Sequence, residues 1–168
     1  MIAFKNRNRT RGSASLTLPA PAETAFPLLC PVREYDWIDT WRCEMIHSVS
    51  GIAEEGCIFR TQPVAALGIG WETWVCVLYA PPRRIAYVRT SEHLLMRLDI
   101  GLEPADGGAR CRTTFALTAT GLDDEGDGLI DRLAPTLEPL YSKVLAKLAH
   151  FLATGAKLPN TEAAARTG

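Results

Sequence analysis

The clearest pattern in the chain lies near its end, where residues 124–155 read DEGDGLIDRLAPTLEPLYSKVLAKLAHFLATG. Apolar side chains recur at Ile130, Leu133, Leu137, Leu140, Val144, Leu148 and Phe151. Alternating steps of three and four put them on one helical face, with Asp131, Glu138, Ser142, Lys143, Lys147 and His150 mostly on the other. Asp123 or Asp124 is placed to cap the start, acidic residues sit at the positive end, and Gly155 is placed to close the helix. Pro135 and Pro139 interrupt the pattern. Proline removes a backbone donor and crowds the carbonyl four residues back, so the spacing predicts a kink, or a short helix to Ala134 and a longer one from Pro135.

The rest of the chain reads mainly as strands. Residues 13–18 (SASLTL) alternate ahead of Pro19 and Pro21, giving a first strand. Residues 22–29 follow as a short helix started by Pro21, with Ala25, Phe26, Leu28 and Leu29 as its apolar side. CPVREYDWIDTW continues as a second short helix, on which Trp37 and Trp41 share a face at i and i+4. Two strands, 43–49 and 57–62, flank SGIAEEG, with their mutual register left open. The apolar segment 62–70 is a packed loop or a cover for a cavity.

Four further strands, 71–79, 84–90, 94–102 and 110–120, form three successive hairpins. Setting Tyr79 opposite Arg84, Ser91 opposite Leu94 and Pro104 opposite Ala109 produces one shared face, because opposite residues point the same way. That face carries Trp74, Cys76 and Leu78; Ile85, Tyr87 and Arg89; Met96, Leu98, Ile100 and Leu102; and Cys111, Thr113, Phe115 and Leu117. Glu72, Arg97, Asp99, Arg110, Arg112, Thr114 and Thr118 are assigned to the other. An apolar sheet face must be covered, and the terminal helix is the long element left to cover it. The class is therefore α+β: a curved seven-stranded antiparallel sheet around a long C-terminal helix, with two short helices after strand 1.

A chain of 168 residues fits one domain, expected over residues 13–155 with tails at 1–12 and 156–168. The formal charge of −1 gives no bulk attraction to nucleic acid or a membrane surface, and no apolar run approaches a membrane span. The basic block FKNRNRTR reads as a solvated tail. Cys30, Cys43, Cys57, Cys76 and Cys111 are spread out with no Cys-x-x-Cys pair, which suits reduced, buried thiols. No apolar leader follows the charged N-terminus, so a cytoplasmic protein is expected, as monomer or homodimer.

The order strand, two short helices, six strands, long helix resembles the helix-grip fold of the START-like superfamily, which includes Bet v 1 relatives, polyketide cyclases and Hsp90-activator-like proteins. CPVREYDWIDTW, SGIAEEGCIFRT, RRIAYVRT and TATGLDDEG carry the resemblance, which runs over residues 13–155 and is nearest the SRPBCC, polyketide cyclase/dehydrase-like branch. It implies an internal apolar cavity between sheet and helix, used by relatives for lipids, hormones, aromatic polyketides or other hydrophobic ligands.

The side chains expected to line such a cavity are Trp37 and Trp41 from the second short helix, His47 and Phe59 from strands 2 and 3, and Trp74, Tyr87, Arg89, Met96, Leu98 and Phe115 from the registered face. Leu137 and Tyr141 come from the helix. A buried Arg89 must pair with a carboxylate, reach the rim, or meet an anionic or carbonyl group on a ligand. Tyr87 and Tyr141 are core tyrosines or acids, and His47, alternating with Met45 and Val49, is a core histidine or a proton carrier. Neither a metal site nor a cofactor is expected: the three histidines lack ligand spacing, and no phosphate loop, Gly-x-Ser-x-Gly or His-Glu-x-x-His occurs. The leading expectation is a binder or carrier of a hydrophobic small molecule, with a cyclase or aromatase-type enzyme and an Hsp90-activator-like interaction module as alternatives.

Overall fold

The computed structural model describes residues 5–159; the remainder of the two expected tails, residues 1–4 and 160–168, lies outside them. Seven strands form one antiparallel sheet: β1 (Arg9–Leu18), β2 (Cys43–His47), β3 (Ile58–Thr61), β4 (Glu72–Ala80), β5 (Arg84–Thr90), β6 (Leu94–Ala105) and β7 (Arg110–Gly121), in the order β1-β7-β6-β5-β4-β3-β2. A short helix α1 (Ala22–Ala25), continued as a 3-10 helix over Phe26–Leu29, follows β1. The C-terminal segment is α2 (Asp124–Leu133), a 3-10 turn (Ala134–Thr136) and α3 (Leu137–Thr154).

That break is the one Pro135 predicts. Pro139 falls in the first turn of α3, where its missing N–H leaves no helical hydrogen bond unmade. Asp123 caps α2 by accepting from the Gly126 N–H at 2.8 Å, and His93 holds the other oxygen of that carboxylate at 2.7 Å. Gly155 ends α3 in the left-handed conformation, donating to the Phe151 carbonyl at 2.7 Å.

The basic N-terminal block is not loose in solvent. β1 begins at Arg9 rather than residue 13, Arg9 and Arg11 donate to Thr120 and Thr118 on β7, and Lys5 and Arg7 pair with Asp124 at the start of α2.

The helical stripe is rotated relative to the expected one. Leu137, Tyr141, Leu145 and Leu148 are the buried residues of α3, while Leu140 is 40% exposed. The reason is where the helix sits. α3 packs mainly on β1 and α2 on β7, and the closest approach is at Gly12 of β1. A Cβ there would collide with the Cβ of Leu137, so glycine lets the start of α3 lie directly on the strand. With α3 drawn toward β1, its flank at Leu140, Tyr141 and Val144 faces across an open space toward β3, β4 and β5.

Two hairpin registers differ from the expected ones. β4 and β5 pair as predicted from Thr73 to Cys76, but a bulge at Val77 puts Leu78 opposite Ala86 and Tyr79 opposite Ile85. Leu78 thereby leaves the inner face, and Tyr79 packs against Phe26 with ring centroids 5.5 Å apart. β6 and β7 slip by two residues, Pro104 facing Cys111, because the four-residue turn moves on by one residue, with Ala105 now paired to Arg110. A slip of two preserves which residues share a face, so the inner face of these strands is as predicted; the β5–β6 register is unchanged. The second short helix shrinks to one 3-10 turn, Glu34–Asp36. All five cysteines are free thiols, with Cys43 the half-buried one. No helix among the described residues is long and apolar enough to cross a membrane.

Candidate functional site

The space between α3 and the inner faces of β3, β4 and β5 is a cavity of about 580 Å³. Six aromatic side chains line it. Phe59 stacks on Trp74 with centroids 5.3 Å apart, and Trp41 and Tyr87 meet that stack edge-on. Phe115 and Tyr141 close the opposite side, 5.8 Å apart. Polar ends of the rings are mostly tied back into the protein: the Trp74 indole N–H donates to Thr61 Oγ1 at 3.0 Å, Trp41 to the Pro31 carbonyl at 2.8 Å, and the Tyr87 hydroxyl to the Leu29 carbonyl at 3.1 Å. The rings therefore present apolar surface to the interior and are held rigidly.

Within this apolar box lies one ion pair. Arg89 Nη1 donates to Glu72 Oε2 at 3.2 Å, with the two side chains 13% and 2% exposed. The Arg89 guanidinium lies over the Trp74 ring, 4.5 Å from its centroid, a cation–π contact that holds the cation in place. Burial pushes the Glu72 carboxyl above the usual carboxylate range, and Arg89 pulls it back only in part. Glu72 lies on the inner face and not the outer one assigned from sequence. It stands two residues before Trp74, and strand alternation returns a side chain to the same face after two.

Glu34 contributes a second carboxyl from the 3-10 turn. It lines the cavity, and part of it remains reachable from there, yet the enclosing protein strips its carboxyl of water and pushes its pKa well above the ordinary range. The folded state thus holds this proton to higher pH than the unfolded chain does, so folding takes up a proton and stability falls as pH rises between the two values. Glu34→Gln is expected to melt with the wild type near pH 4 and above it near pH 8, the gap opening as pH climbs through the ordinary glutamate value of about 4.3. Melting curves across that range check it; a gap independent of pH would place the carboxyl in bulk water.

Of the side chains expected here, Trp41, Phe59, Trp74, Tyr87, Arg89, Leu98, Phe115 and Tyr141 line the cavity. Four do not. Trp37 is buried in the core with its indole N–H on the Leu28 carbonyl at 2.9 Å, because the 3-10 turn ends before it and the two tryptophans no longer share a helical face. His47 is exposed. A register shift between Met45 and His47 inserts Ile46 as an extra residue and turns the histidine out of the alternation. Met96 is core packing opposite Arg89, and Leu137 is taken up by its contact over Gly12.

Sequence reasoning missed Glu34, Glu72, Leu140 and Val144, whereas the rim from Pro63 to Ala66 lies in the segment read as a packed loop or a cavity cover. The parity of β4 carries the signal for Glu72; a three-residue turn carries none for Glu34. The segment from Val64 to Ile69 closes on itself through a Val64–Ile69 bridge and covers one side of the cavity. Among the described residues no group of three or more His, Cys, Asp or Glu side chains could hold a metal ion.

An antiparallel seven-stranded sheet with a helix laid across it is an arrangement with solved counterparts. Norcoclaurine synthase from Thalictrum flavum, in complex with dopamine and hydroxybenzaldehyde, matches with a TM-score of 0.64 at 13% identity, over 94% of this chain and 98% of that one. The chain has the helix-grip fold. CalU16 from Micromonospora echinospora shares the helix grip at a TM-score of 0.55 and 15% identity, over 89% of this chain and 87% of that one. DynU16, a protein of the dynemicin biosynthetic locus, does so at 0.57 and 15% identity over 88% of this chain and 48% of its own, so this chain spans about half its length. No family model matches the sequence, and neither does any curated protein. At these identities the likeness is one of fold, and the helix-grip cavity of this chain has to be read from its own residues.

Proposed function

We propose that the protein binds an aromatic or similarly apolar small molecule between the sheet and α3. The observation that carries this reading is the cavity of about 580 Å³ walled by Trp41, Phe59, Trp74, Tyr87, Phe115 and Tyr141, within the size range of small-molecule sites and with few polar groups. The helix-grip fold of norcoclaurine synthase accommodates dopamine and hydroxybenzaldehyde, which supports an aromatic guest. Binding or carriage is the reading the walls favour.

Native mass spectrometry of protein purified from its own host tests it by detecting a retained ligand, and titration with apolar aromatic probes measures uptake directly. Val144→Trp, placed on the α3 wall, is expected to narrow the space and weaken uptake of aromatic probes while leaving the fold intact. Uptake unchanged in that variant would move the binding site elsewhere.

Catalysis is a second reading, favoured by Glu34. Burial pushes its carboxyl well above the ordinary range, the direction that suits a proton donor, and it shares the cavity with the Tyr141 side chain.

A further inference from the structure

We propose that Cys57 and Cys76 form a reversible disulfide that pins β3 to β4 beside the cavity, a redox switch built into the sheet. This goes beyond the binding reading and stands without it.

The register brings the two thiols together. Ile58 pairs with Val75 and Phe59 with Trp74, and one step further along the Cys76 N–H donates to the Cys57 carbonyl at 3.0 Å. Cys57 and Cys76 are therefore directly opposite, and opposite residues of an antiparallel pair share a face. That face is the inner one, since the Phe59 and Trp74 rings two residues along are stacked on it, and both cysteines are buried. Partners joined in this way hold their Cα atoms roughly 5.5 Å apart, a separation that a disulfide spans. A bulge shapes the approach. The Gly56 N–H donates to the Cys76 carbonyl at 2.8 Å, with Gly56 at φ +83°, so two successive residues meet Cys76 at the start of β3. The two thiols are in hydrogen-bonding contact, which draws the first ionisation of the pair below the ordinary thiol range and pushes the second above it. The other cysteines are engaged elsewhere: Cys30 accepts from the Ala53 N–H at 3.0 Å, Cys43 meets the Pro31 carbonyl at 3.6 Å, and Cys111 the Thr113 hydroxyl at 3.6 Å.

The reaction is thiol–disulfide exchange with a low-molecular-weight disulfide of the glutathione class. The Cys57 thiolate attacks one sulfur of that disulfide and expels a thiolate, leaving a mixed disulfide; the Cys76 thiolate then attacks Cys57 Sγ and expels the other half. The protein gives up two electrons and two protons, and the small disulfide becomes two thiols. Access is through the turn ahead of β3. Glu55 and Gly56 are exposed and Cys57 follows them directly, so local opening of the turn brings its sulfur to solvent. The bond closes a loop over residues 58–75, which carries Phe59 and Trp74 of the aromatic stack and the rim from Pro63 to Ala66. Oxidation stiffens this side of the cavity, and reduction releases it.

Incubation of the full chain with excess oxidised glutathione tests this, followed by thiol titration after denaturation, peptide mass mapping without reductant, and thermal melting. Wild type is expected to lose two of its five titratable thiols, to yield a peptide pair joined through Cys57 and Cys76, and to recover both thiols in dithiothreitol. Its melting temperature is expected to rise by roughly 5–10 °C on oxidation, as closing a loop of this length does in a domain of this size, and amide exchange over residues 58–75 is expected to slow. Cys57→Ala and Cys76→Ala are expected to show none of that rise. Five thiols persisting at equilibrium, glutathione retained on Cys57, or a cross-link to Cys30 would overturn the pairing. A Cys57–Cys76 bond that forms without raising the melting temperature would overturn the switch.

Discussion

Arg89→Met alone is expected to lower the stability of the protein by about 3–5 kcal/mol, the usual result of removing one partner from a buried ion pair. Glu72 is then left 2% exposed with neither its cation nor water. The double variant Glu72→Leu/Arg89→Met is expected to recover most of that loss, since apolar side chains of similar volume carry no desolvation penalty in this position. Urea unfolding of wild type, single and double variants measures all three values, with the slope m checked for constancy. The loss in Arg89→Met should also shrink at acidic pH. Without the guanidinium, burial pushes the Glu72 carboxyl further above the unfolded value; folding then takes up a proton, so stability rises as pH falls toward the unfolded pKa. A single variant as stable as wild type at pH 8 would mean that solvent reaches the carboxylate.

The second large effect separates two neighbouring leucines of α3. Leu145→Ala is expected to cost about 2–5 kcal/mol, because its side chain is 1% exposed and the deletion leaves a void against the sheet. Leu140→Ala, at a position 40% exposed, is expected to change stability by no more than about 0.5 kcal/mol. Its consequence belongs to the cavity it lines, as a change in affinity for apolar probes. Unfolding and probe titration on the same two variants make the comparison. Similar stability losses in both would mean that the helix lies over the middle of the sheet and not toward β1.

The two leucines also show what the sequence could and could not convey. The 3.6-residue rhythm of α3 and the alternation of β5, β6 and β7 are strong because each element has one face in the core, and they were sufficient to assemble the sheet and assign its inner face. The rotation of α3 was not legible. It depends on Gly12, more than a hundred residues away, admitting Leu137 where any other side chain would block it. The bulges at Val77 and Ile46 add one residue each to an otherwise regular strand, and nothing in the local composition distinguishes the extra residue from its neighbours. The first cost Leu78 its assignment and the second His47. Arg89 was legible as a buried cation in need of a partner. Its partner was within reach of the same alternation, since Glu72 and Trp74 have the same parity. Glu34 was not, because a single 3-10 turn has no repeat from which an orientation can be read.

The unequal lengths of the strands bear on how a guest exchanges. β6 and β7 run for 12 residues each, whereas β2 and β3, on the cavity side, have 5 and 4, and β2 forms an edge of the sheet. Lifting α3 would expose Leu137, Tyr141, Leu145 and Leu148 to water at roughly 1.5–3 kcal/mol each. Parting the edge at β2 and β3 breaks only a few backbone hydrogen bonds, and local unfolding concentrates in such thinly connected elements. For the guest proposed above, residence time is expected to follow the fraying of this margin, with the helix staying in place.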